Sequence, residues 1–145
     1  MRFLDVLRPL ALLVLRFALG LIFIYHGYPK LFGNPRHYAE VFTQLGFAYG
    51  TSYAIGALEV FGGALLVAGF FTRPMALLFT VEMAVAIWKV HSKKGYLAVN
   101  EYELALMVGA AALALATCGP GAISLDELLL PSRAGRAPKP KPAAK

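Results

Sequence analysis

Residues 9–28, PLALLVLRFALGLIFIYHGY, carry a single fixed charge, Arg16, in an otherwise apolar and aromatic run. As a helix rising ~1.5 Å per residue, such a stretch matches the ~30 Å hydrocarbon core of a bilayer. Three more apolar stretches follow, over 53–71, 74–91 and 103–118. A soluble four-helix bundle needs a polar face on every helix. None of these segments has one, and hydrophobic residues make up 59% of the chain. The expected fold class is therefore an all-α membrane protein. Four transmembrane helices form one domain over residues 1–130, followed by a basic, disordered cytoplasmic tail over 131–145. The first stretch is expected to be retained, because Arg16 interrupts the core a leader peptide would need and no A-x-A site follows.

The connections refine this layout. In NPRHYAEVFTQLG, Asn34 suits an N-cap and Pro35 the first helical position. Tyr38, Val41, Phe42 and Leu45 fall at helical spacing, with Arg36, Glu40 and Gln44 opposite. This predicts a short amphipathic helix at the membrane interface between the first two spans. After the fourth span, Ser124 and Glu127 have the spacing of a capping box. The tail PSRAGRAPKPKPAAK alternates Pro with Lys and has no apolar run to bury.

Charge sets the orientation. Arg2, Arg8, Arg73 and the tail cations Arg133, Arg136, Lys139, Lys141 and Lys145 share one side, against Lys30, Arg36, Lys93 and Lys94 on the other. The richer side, with both termini, is expected to be cytoplasmic. All seven tyrosines and Trp88 then collect near the outer interface. The formal charge of +6 reads as topology and contact with anionic lipid, and nucleic acid is not an expected partner.

An unpaired charge at mid-bilayer costs ~2.5–3.5 kcal/mol on insertion scales, so the intramembrane charges should face one another. By depth, Arg16 and Glu82 form the expected structural ion pair. His26, Lys30, Glu59, Lys89 and Glu103 gather toward the outer end as a polar pocket. Gly20 and Gly27 share a face with Arg16, as Gly56 and Gly63 do with Glu59, so that backbones can approach closely. The same charges would also serve a purely structural network that keeps the helices in register. Cys118 is the only cysteine, so neither a disulfide nor a C-x-x-C pair is available, and no metal site is expected. His26 and His91 lie at similar depth, but charges occupy the room a haem would need.

R-x3-G-x5-HG-x2-KLFG in the first helix, LEVFGGALLVAGFFTRPMAL across the second and third, and NEYELALMVGAAALALATCGPGAISLDEL at the end resemble the DoxX family of small four-helix membrane proteins. The resemblance spans roughly residues 10–130. It implies a bacterial inner-membrane protein, and a membrane subunit of an oxidoreductase is one activity known in the family. It points to Arg16, His26, Gly27, Lys30, Glu59, Arg73, Glu103, Gly119, Gly121, Ser124 and Asp126.

Three functions fit the sequence: a quinone-facing or accessory oxidoreductase subunit, a carrier of small molecules or lipids, and a membrane scaffold that recruits partners. The first is the expectation taken forward. Glu59 and His26 are its candidate proton-handling residues, and His26, Lys30, Glu59, Lys89 and Glu103 its quinone pocket. No covalently bound cofactor is expected, so electrons would come from quinone or from a soluble or membrane oxidoreductase partner.

Overall fold

A computed structural model describes residues 2–91 and 102–129. The expected 131–145 tail, the 93–100 loop and the His91 side chain lie outside the described residues. The described chain is all-α, with no strand. Helix α1 (Arg2–Tyr28) continues through a π-helical turn, Pro29–Gly33, and α2 spans Pro35–Gln44. Helix α3 (Thr51–Ala57) passes through a second π-helical turn, Leu58–Gly62, into α4 (Gly63–Ala68). Helix α5 (Thr72–Ala86) ends in a third, Ile87–His91. Helices α6 (Glu103–Cys118) and α7 (Leu125–Leu129) complete the order.

Two stretches, Val6–Gly33 and Thr51–Ala68, are long and apolar enough to cross a membrane, and Glu103–Cys118 is a shorter apolar helix. The 72–91 stretch contains Arg73, Glu82 and Lys89, which interrupt its apolar character. Leu10, Val14, Phe17, Leu21, Tyr25 and Tyr28 form an exposed stripe along α1. An apolar stripe facing outward is what lipid, rather than water, accommodates.

The helices pack as two pairs: α1 against the α3–α4 unit, and α5 against α6. Glycines bring the first pair together. A Cβ on Gly20 would lie 2.6 Å from the Gly63 carbonyl oxygen, and one on Gly63 would lie 2.7 Å from the Gly20 oxygen. Both obstacles are backbone, so a side chain at either position forces the helices apart. The glycine faces expected from sequence thus meet each other, as small residues do where membrane helices touch. Between the pairs sits the core: Leu19 and Phe23 from α1, Leu66 from α4, Ala76 and Phe79 from α5, and Val108, Ala112 and Leu115 from α6. Phe23 and Phe79 stack, with planes 9° apart.

Helix α2 starts as expected, with Pro35 in the first turn and Asn34 Oδ1 accepting from the His37 N–H. Arg36, His37, Glu40 and Gln44 are exposed, whereas Tyr38, Ala39, Val41, Phe42 and Leu45 turn inward. The apolar face of this amphipathic helix is therefore spent partly on the protein, where it covers a cavity.

Candidate functional site: a charged pair at the wall of an apolar cavity

Two of the three π-helical turns among the described residues hold the charged residues of the site. Lys30 lies in Pro29–Gly33 and Glu59 in Leu58–Gly62. A π-turn inserts a residue into the helical register and is found disproportionately at functional positions. Here α1 and α3 approach so closely that a Cβ on Gly27 would lie 2.7 Å from Glu59 Cβ, and one on Gly56 would lie 2.8 Å from Lys30 Cβ. Each glycine makes room for the charged residue of the opposite helix. Lys30 Nζ and Glu59 Oε2 form a salt bridge, with side chains only 13% and 3% exposed. Glu82 from α5 lines the same cavity as Glu59, and its Oε2 is buried with no hydrogen-bond partner among the described residues.

These groups are among the residues lining an open-sided cavity of about 670 Å³ bordered by α1, α2, α3, α5 and α6. Its other walls are apolar, among them Phe23, Phe42, Ile55, Leu58, Val81 and Val108. His26 also borders it. That ring is exposed, and its Nδ1 donates to the Ile22 carbonyl oxygen at 2.8 Å, which leaves Nε2 as the acceptor nitrogen of the neutral ring. A buried ion pair, a second acid and an imidazole set into apolar walls can orient a molecule with one polar end.

Of the five residues expected in the pocket, His26, Lys30 and Glu59 come together at the cavity, and Lys89 and Glu103 are not among its lining residues. The Lys89 ammonium sits 4.6 Å from the Trp88 ring centroid and 6.0 Å from that of Phe47. The turn at Ile87–His91 separates Lys89 from the regular register that put it on the Glu82 stripe. Glu103 is exposed in the first turn of α6, where a carboxylate complements the helix dipole. Glu82 takes their place at the cavity. It was legible as an intramembrane acid but was assigned to the wrong partner.

The expected Arg16–Glu82 pair is replaced by a different arrangement at the middle of α1. Arg16 is 1% exposed, and its Nη1 and Nη2 donate to the carbonyls of Pro120 (3.0 Å) and Ile123 (2.5 Å). The chain just beyond α6 has lost its helical donors, and the guanidinium supplies them. Gly69 adopts φ +71°, and a Cβ there would lie 2.1 Å from Arg16 Nη1, so the guanidinium fills the space a side chain would take. Asp126 accepts from the Phe71 and Thr72 N–H groups, each at 2.9 Å. It thereby caps the start of α5 from a distant part of the chain. Arg73 packs at Gly119, where a Cβ would lie 2.9 Å from its Nη2. Ser124 serves as the expected N-cap, its Oγ accepting from the Glu127 N–H at 3.1 Å. Thus Arg16, Arg73, Gly119, Gly121, Ser124 and Asp126 build a clamp that ties the 119–127 segment to α1 and α5, separate from the cavity.

The DoxX family profile matches residues 11–92, a stretch holding His26, Lys30, Glu59 and Glu82. The chain belongs to the DoxX family. It is 40% identical to "Inner membrane protein YphA" of Escherichia coli (strain K12), over 82% of this chain and 90% of that protein. It is 32% identical to "Putative oxidoreductase CatD" of Bacillus subtilis (strain 168), over 71% of this chain and 76% of that one. No solved structure matches this DoxX chain at a significant level.

Proposed function

We propose that this DoxX-family chain is a four-span bacterial inner-membrane protein whose cavity receives the polar head of a membrane quinone, as an accessory subunit of an oxidoreductase system. The observation that carries this reading is the buried Lys30–Glu59 pair, with Glu82 behind it, set in an otherwise apolar cavity of about 670 Å³. Apolar walls suit the faces of a quinone ring. The ammonium of Lys30 is a donor for a ring oxygen, and Nε2 of neutral His26, whose Nδ1–H is committed to the Ile22 carbonyl, is an acceptor for the hydroxyl of a reduced ring. Glu59, with His26 beside it, is positioned to exchange protons when the bound ring changes its redox state. Electrons then come from a partner protein, and the name carried by the Bacillus subtilis relative favours an oxidoreductase of some kind.

A quinone analogue added to purified protein tests this reading. At a hundredfold excess over its Kd, binding to the folded state alone contributes about 2.7 kcal/mol. The wild-type thermal midpoint should rise, the rise should shrink in His26→Ala, and it should vanish in Glu59→Gln. Equal midpoints with and without the analogue in all three proteins reduce the charges to a packing network, and the scaffold reading takes over.

The location follows the inner-membrane name of the Escherichia coli relative. The cation distribution supports cytoplasmic termini and puts the cavity at the outer end of the bundle. A reporter fused after Lys145 is expected to be active only when it is a cytoplasmic reporter. One inserted in the 93–100 loop is expected to be active only when it requires export. The opposite pattern inverts the topology.

A further inference from the structure

The cavity does not end at His26 and Lys30. A groove of about 990 Å³ runs along the outer half of α1, and it shares Ile22, His26, Lys30 and Tyr38 with the cavity. From these shared residues the groove extends over Leu21, Ile24, Tyr25 and Tyr28. Leu21, Tyr25 and Tyr28 are 58%, 79% and 57% exposed, on the same apolar stripe that faces lipid. The route from the aqueous side is different, because α2 lays Tyr38, Val41, Phe42 and Leu45 across that end of the cavity. The polar groups therefore lie inside and at the junction, and the path outward is apolar.

We infer that the site takes an amphiphile that enters sideways from the bilayer, seating its polar head in the inner cavity while its tail lies in the α1 groove. Ile22 and Tyr38 flank the passage, and His26 and Lys30 meet the head as it crosses. The ligand class is thus a lipid-soluble molecule with a compact polar head and a long apolar tail, which a free water-soluble head does not satisfy. This inference rests on the reading of the cavity as a ligand site.

Photolabelling in lipid nanodiscs separates the route from the site. The probe is a quinone analogue with a diazirine in its alkyl tail, and the competitor is the same tailed quinone without the diazirine. The expected result is labelling at Leu21, Ile24, Tyr25 and Tyr28 that is lost when the competitor is added. Competable labelling on α5 instead, at Leu78 and Val81, overturns the α1 route while the head site stands. Labelling that no competitor removes anywhere overturns the ligand site, and the route with it.

Discussion

Arg16→Leu is expected to destabilise the folded chain by about 2–4 kcal/mol, since a fully buried acceptor left without a donor costs about 1–3 kcal/mol and the two here are part-buried. Two carbonyls, those of Pro120 and Ile123, lose their donor at once. The glycine that receives the guanidinium, Gly69, is left facing an unfilled space. Arg16→Lys should recover only part of the loss, because one ammonium cannot reproduce the two-armed geometry of the guanidinium. Because Arg16 bonds Pro120 and Ile123 whereas Glu82 lines the cavity, Arg16→Leu and Glu82→Leu should be additive in a double-mutant cycle. Denaturant titration in micelles reads both results. If Glu82→Leu rescues Arg16→Leu, the two residues are partners after all and the clamp is wrongly drawn.

Lys30→Met is the second large effect. It leaves Glu59, 3% exposed, in the cavity it shares with Glu82 and with no cation in its salt bridge. Removing one partner of a buried ion pair typically costs 3–5 kcal/mol, roughly the whole stability margin of a small domain. Lys30→Met combined with Glu59→Leu should recover most of that loss, because two apolar side chains of similar volume replace a pair that had to be desolvated. The prediction is a strong coupling energy between positions 30 and 59, read from the four unfolding transitions. Additive losses contradict the pair.

Much of this was legible in the sequence, and the reasons are local. Glycines three or four residues from a charge marked the faces on which α1 and α3–α4 meet. Asn34–Pro35 and Ser124–Glu127 are caps whose chemistry is written in the side chains. The amphipathic spacing of Tyr38, Val41, Phe42 and Leu45 identified α2, although not that its apolar face would cover a cavity. What was not legible is of two kinds. Depths counted at a constant rise assume a regular helix, and three π-helical turns break that count in α1, α3–α4 and α5. Lys89 was misplaced for this reason, and Glu82 was left without its neighbour Glu59. The partners of Arg16, in turn, are backbone carbonyls, which have no residue type to betray them. Only the irregular run CGPGAIS after α6 hints that chain there needs outside donors.

The clamp and the cavity occupy different stretches of α1, so the two sets of variants should separate. Changes at Arg16 act on stability, whereas changes at His26 act on what the cavity holds, with little cost to folding for an exposed imidazole. Glu59 belongs to both categories, as the acid of the salt bridge and the wall of the cavity, and His26→Ala is therefore the cleaner probe of ligand occupancy.

The most direct test of the central claim is the content of the cavity as the protein leaves the membrane. Wild type, His26→Ala and Glu59→Gln would be purified from native membranes, and the lipids extracted from equal amounts of folded protein would be assayed for quinone. Wild type is expected to carry quinone in a fixed ratio to protein, with His26→Ala depleted and Glu59→Gln at the level of an unrelated membrane protein. The same quinone content in all three, no higher than that background, would contradict a quinone site at Lys30, Glu59 and Glu82.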